Sequence, residues 1–138
     1  MALPELKTVD IGTGVISYRE KGSGPALVFV HGLGGRSGAW ATQYEDFSGR
    51  HRVIGWDAPG YGESSDPATE SPVIADYVDA LARFIDALGI ERMHLVGHSV
   101  GTVMATAYHK RYPDRLLSLT LAEAVTGSGM KDMEIQEK

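Results

Sequence analysis

The stretch Arg92–Tyr112, RMHLVGHSVGTVMATAYHKRY, decides how this chain folds. Its first five residues, Arg92–Val96, form a short apolar run of strand type. Val100–Tyr112 reads as a helix that Pro113 ends. Between them Gly97-His98-Ser99-Val100-Gly101 matches G-x-S-x-G. A strand turning sharply into a helix forces the serine into an unfavourable backbone conformation and lifts its hydroxyl above the sheet. The flanking glycines relieve crowding where neighbouring backbone comes close. The following helix aims its first N–H groups at the place where negative charge would develop. Ser99 is therefore the candidate nucleophile. A plain Gly-Ser turn would carry the same letters, but the strand–turn–helix context favours the nucleophile.

Working outward, the same alternation repeats. Leu6–Glu20 is strand-like, with Thr8, Val9, Ile11, Val15, Ile16 and Tyr18, and Gly12–Gly14 breaks it into a hairpin. After the turn Lys21–Pro25, Ala26–Val30 is a continuous apolar run, as expected for a strand covered on both faces. Trp40–Phe47 reads as a short helix and Arg52–Trp56 as another strand. Ser71–Leu88 is the clearest helix: Ser71 suits the N-cap, Pro72 the first helical position, and Gly89 the stop. Leu116–Ala122 is a last strand. Strands alternating with helices predict an α/β fold with a mostly parallel sheet and helices on both faces. One domain is expected over residues 1–125, followed by a polar tail over 126–138.

Two further motifs bear on chemistry. His31-Gly32-Leu33-Gly34-Gly35 follows directly on the buried run Ala26–Val30. A Gly-rich loop at that place supplies an oxyanion donor in sheets of this kind, so the backbone N–H groups of Leu33 and Val100 are the expected pair. Only backbone is needed, and the Leu33 side chain is uninformative. Asp57 opens Asp57-Ala58-Pro59-Gly60-Tyr61-Gly62-Glu63-Ser64-Ser65. Its expected role is structural, accepting N–H bonds within its own turn.

Composition narrows the function. The 138 residues carry a formal net charge of -5, which argues against nucleic acid and anionic membrane as partners. There is no cysteine, which excludes disulfides and thiolate chemistry. The opening MALPELKTVD lacks the pattern of a signal peptide, and no apolar run reaches membrane-spanning length. A cytoplasmic location is the expectation.

The order and wording HGLGG, then WDAPGYGESS, then GHSVG resemble the α/β-hydrolase superfamily over nearly the whole chain, from Leu6 to Ala124. The wording is most similar to small-molecule esterases, enol-lactonases, C–C bond hydrolases and cofactor-free haloperoxidases. The resemblance implies a strand order 1-2-4-3-5-6-7-8 with the second strand antiparallel, and a helical cap after the sixth strand. It implies a serine hydrolase acting on an ester, lactone or related small carbonyl compound through an acyl-enzyme, with no metal or organic cofactor.

The family's triad runs Ser, acid, His along the chain. The resemblance places the His after an eighth strand, so this chain is expected to be the N-terminal part of such an enzyme, its sheet truncated after the sixth strand, inactive alone. It would then self-associate or pair with a C-terminal part. His31, His51, His94, His98 and His109 each read as structural or surface residues, since a base must reach the serine hydroxyl. Glu123, at the end of the last strand, is a candidate acid, because some relatives carry it there; the usual acid follows a seventh strand, and Glu123 would then cap the strand or touch the cap. The alternative function is a non-catalytic ligand-binding receptor or scaffold on the same fold.

Overall fold

A computed structural model describes residues 2–125. Six strands form one sheet: β1 (Lys7–Asp10), β2 (Val15–Lys21), β3 (Ala26–Val30), β4 (Arg52–Trp56), β5 (Met93–His98) and β6 (Leu116–Ala122). Three α-helices accompany them: α1 (Ala41–Phe47), α2 (Ile74–Ala87) and α3 (Gly101–Arg111). The spatial order is β1-β2-β4-β3-β5-β6. β2 is antiparallel to both neighbours, while β4, β3, β5 and β6 run parallel. This is the mostly parallel sheet expected from the alternation of strands and helices and, as far as the sixth strand, the strand order that the family resemblance implies. The tail 126–138 lies outside the described residues.

Every residue of β3 is buried, because helices cover both faces of the central strands. On one face Ile16, Val28, Ile54, Trp56, Met93 and Leu95 meet Leu81, Phe84 and Ile85 of α2 and Tyr108 of α3. Phe84 anchors this layer, its ring 5.4 Å from Tyr18 and 5.8 Å from Trp56. Burying a side chain of that size contributes about 1.5–3 kcal/mol. On the other face Leu27, Phe29 and Val53 pack on Tyr44 of α1 and on Trp40.

Several boundaries differ from the sequence reading by a residue, among them α3, which runs Gly101–Arg111, and three differences are larger or structural. α2 starts at Ile74, not at Ser71–Pro72, because its cap comes from inside the helix: the Asp76 carboxylate accepts the Val73 N–H at 2.8 Å. β5 runs on to His98, since its pairing with β6 continues through His98↔Ala122. A 3-10 turn, Ser37–Trp40, precedes α1. Gly89 does end α2 in the left-handed region, with φ +70°.

Candidate active site

The four parallel strands end side by side, and the residue after each is polar: His31 after β3, Asp57 after β4, Ser99 after β5 and Glu123 after β6. The carboxyl ends of strands are where open α/β sheets gather their functional groups.

Ser99 sits in the left-handed region with φ 56°, one of two non-glycine residues with positive φ among the described residues. That conformation costs an L-residue roughly 1–2 kcal/mol. Its neighbours hold it there. The Ser99 N–H donates to the Ala122 carbonyl at 3.0 Å, and the Ser99 carbonyl accepts the Thr102 N–H at 2.9 Å and the Thr102 hydroxyl at 2.6 Å. The Thr102 hydroxyl oxygen in turn accepts the Val125 N–H at 3.2 Å, tying the turn to the chain beyond β6.

The motif glycines are required by close approach of backbone. A Cβ on Gly97 would lie 2.6 Å from the Gly101 carbonyl oxygen, and one on Gly101 would collide with the Val30 carbonyl and lie 2.8 Å from that of His31. Those two positions let α3 settle onto the tips of β3 and β5. Gly32 completes the close fit, since a Cβ there would lie 3.0 Å from Ser99 Cβ. The Gly32–Leu33 loop and the start of α3 thus meet beside the serine, and Leu33 and Val100 line one recess together.

The histidines separate by their hydrogen bonds. His31 is buried; its Nδ1 donates to the Gly32 carbonyl at 2.9 Å and its Nε2 accepts the Ala58 N–H at 3.1 Å, the tautomer these partners require. Burial holds its pKa below the usual imidazole value, against the opposing pull of the Gly32 carbonyl and the Asp57 charge. With both nitrogens committed, it clamps the Gly32–Leu33 loop to the turn after β4. His94 bonds Ser118 at 2.7 Å and stacks edge-on against His51. His109 is in the last turn of α3. His98 lies against the Trp40 ring, its Nε2 3.7 Å from the Glu123 carboxylate. Among the described residues none of them hydrogen-bonds the Ser99 hydroxyl.

Asp57 is buried and structural, but the partners of its carboxylate are not in its own turn. One oxygen accepts the Ser37 N–H and the other the Ser17 hydroxyl, both at 2.6 Å. Its backbone carbonyl accepts the Ser64 hydroxyl at 2.6 Å. The carboxylate therefore ties β2, the Ser37–Trp40 turn and the end of β4 into one piece. Glu123 shares the left-handed conformation, with φ 51°, and its side chain is 81% exposed.

Thr102 and the Tyr61 ring, which packs 4.8 Å from His31, have no prominence in the sequence. The one available signal for Thr102 is its place three residues after Ser99, where a hydroxyl can reach back to backbone. Among the described residues no group of three or more His, Asp or Glu is placed to hold a metal ion, and no helix is long and apolar enough to cross a membrane.

Residues 25–137 match the model of the alpha/beta hydrolase fold family, and the chain belongs to that family. It is 34% identical over 108 residues to an (E)-2-((N-methylformamido)methylene)succinate hydrolase of Acinetobacter baylyi, covering 78% of this chain and 41% of that protein. It is 36% identical over 111 residues to the dihydrolipoyllysine-residue acetyltransferase component of an acetoin cleaving system of Cupriavidus necator, covering 80% and 29%. A crystal structure of a bacterial membrane phospholipase A superposes with a TM-score of 0.84 at 32% identity, over 90% of this chain and 41% of that one. The chain thus spans well under half the length of the relatives it matches.

Proposed function

We propose that Ser99 is the nucleophile of a serine hydrolase acting on a small ester, lactone or related carbonyl compound. The observation that carries this reading is the left-handed Ser99, held between β5 and α3 with the Gly32 backbone packed against its Cβ. The Ser99 hydroxyl oxygen attacks the carbonyl carbon while a base takes its proton. The carbonyl oxygen gains negative charge in the tetrahedral intermediate and is held by the Leu33 and Val100 N–H groups. Collapse breaks the bond to the leaving alkoxide, which takes the proton from the base and departs as alcohol. Water then adds to the acyl-enzyme by the same steps, releases the acid and restores the serine.

His31 cannot serve as the base, since its nitrogens are occupied, and the imidazole that does so comes from outside the described residues. An acyl-enzyme can also pass its acyl group to an alcohol or thiol in place of water, so acyl transfer is a variant of the same proposed chemistry. The test is labelling of the full-length protein with a fluorophosphonate, followed by mass mapping. Modification at Ser99 is expected; a folded protein that stays unlabelled supports a binding role instead.

A further inference from the structure

The Ser99 carbonyl and the Val100 N–H are the two ends of one peptide unit. A trans peptide is planar and its two polar groups point in opposite directions, so whatever fixes the carbonyl also aims the N–H. The carbonyl accepts the Thr102 N–H at 2.9 Å and the Thr102 hydroxyl at 2.6 Å, which fills both of its lone pairs. Among the described residues the Val100 N–H donates to no acceptor. It belongs to the unpaired N–H groups of a helix start, and Val100 lines the recess that Leu33 also lines.

Any residue other than proline at position 102 supplies the backbone bond; only a hydroxyl supplies the second. Thr102 is buried, with the direction of its proton settled by its partners. Its oxygen accepts the Val125 N–H at 3.2 Å, so its single proton goes to the Ser99 carbonyl. A chain of donors results: Val125 N–H to the Thr102 hydroxyl, that hydroxyl to the Ser99 carbonyl, and across the peptide to the Val100 N–H. Bonds in such a chain polarise one another, because electron density drawn onto the carbonyl oxygen leaves the N–H more positive.

We propose that Thr102 is a positioning residue for acyl chemistry at Ser99: its hydroxyl aims and strengthens the Val100 N–H towards a carbonyl oxygen that gains negative charge. The inference rests on Ser99 being the nucleophile. A whole donor of this kind is worth about a hundred- to a thousandfold in kcat, and polarisation of about 10–30% for each bond gives the hydroxyl a share of about two- to eightfold. The experiment compares the full-length protein with Thr102→Val and Thr102→Ser on p-nitrophenyl acetate. Thr102→Val should lower kcat and kcat/KM together by about two- to eightfold, since the interaction belongs to the transition state, and Thr102→Ser, which keeps the hydroxyl, should restore the rate. Should Thr102→Val fail to fold, Thr102→Ala reads the same loss with a better helix former. A trifluoromethyl ketone gives the second readout. The Ser99 oxygen adds to its carbonyl carbon, the serine proton passes to the base, and the ketone oxygen is left negative beside the Val100 N–H. In Thr102→Val that oxygen should titrate about 0.3–0.9 pH unit higher by fluorine NMR, the same factor read as a proton equilibrium, and Thr102→Ser should return it. Fluorophosphonate labelling of Ser99 together with an unchanged kcat in Thr102→Val, an unmoved titration, or a Thr102→Ser as slow as Thr102→Val would overturn the role of Thr102 and leave the nucleophile standing. A folded wild-type protein with no labelling at Ser99 would overturn both.

Discussion

The Ser99 N–H donates to the Ala122 carbonyl at 3.0 Å, so the Ser99 turn hangs on the last residue of β6 as well as on its own strand and helix. Glu123, the next residue, is left-handed like Ser99. The two turns therefore lock each other through backbone, and the Ser99 side chain is free of structural duty among the described residues.

That freedom gives the first prediction. Ser99→Ala should lower ester turnover by about a thousandfold or more without unfolding the protein. Ser99→Gly should be equally inactive and more stable than Ser99→Ala by up to about 1 kcal/mol, because glycine occupies the left-handed region without strain, less its larger unfolded-state entropy. Turnover and urea denaturation of both variants check this. Retention of more than roughly a tenth of wild-type rate by either would remove Ser99 from the nucleophile's role.

A second prediction concerns acid. His31 is neutral in the fold and its pKa lies below the ordinary imidazole value because it is buried. The unfolded chain then binds a proton first as pH falls. The stability from this residue is fully present above the unfolded pKa of about 6.5 and declines between there and the depressed folded value, by at most about 1.4 kcal/mol per pH unit. Denaturation midpoints at pH 8, 6.5 and 5.5 should fall in that order, and His31→Asn should flatten the trend. An unchanged slope in His31→Asn would assign the pH dependence to other groups.

The motifs and the strands were legible because they rest on local rules: GHSVG between strand and helix, an all-apolar Ala26–Val30, and Leu116–Ala122 with its observed limits; the order of the sheet followed only from the family resemblance those motifs carry. What escaped was set by distance in sequence. Asp57 binds Ser17 across 40 residues, so its partners could not be read from its own turn. β5 gained two residues because β6 offered partners to Gly97 and His98. The start of α2 moved because Asp76, three residues inside, outcompeted Ser71 as the cap. The recess beside Val100 escaped for the same reason, since Tyr61, Tyr77 and Met104 meet only in three dimensions.

β6 carries the third prediction. Among the described residues it pairs only with β5, and its outer face shows Leu117 at 51% and Leu121 at 42% exposure. An unpaired edge with exposed leucines recruits other strands. The 138-residue chain by itself should therefore self-associate at micromolar concentration. Sedimentation velocity checks this, and Leu117→Lys with Leu121→Lys should shift the distribution towards monomer. A wild-type chain sedimenting as a monomer would contradict it.

The last prediction concerns Glu123. A triad acid accepts the imidazole N–H, fixes its tautomer and stabilises the imidazolium, and it does so from a buried position. Glu123 stands at the right end of a parallel strand for that task. Its side chain, however, is 81% exposed, and the partner it faces is His98 at 3.7 Å, beyond hydrogen-bonding distance. An exposed pair of this kind is worth little, with a median of about 0–1 kcal/mol. On this geometry the expectation is that Glu123 only closes the turn beside Ser99 and that another carboxylate orients the base. Glu123→Gln in the full-length protein should then change turnover by less than about threefold, with stability nearly unaltered. Glu123→Gly, which removes the left-handed strain, should keep activity in the same range and hold or raise the melting temperature. A fall of about a thousandfold in Glu123→Gln with the fold intact would reverse the assignment. It would mean that the base enters the space beside His98 and that the carboxylate after β6 is the acid that holds it.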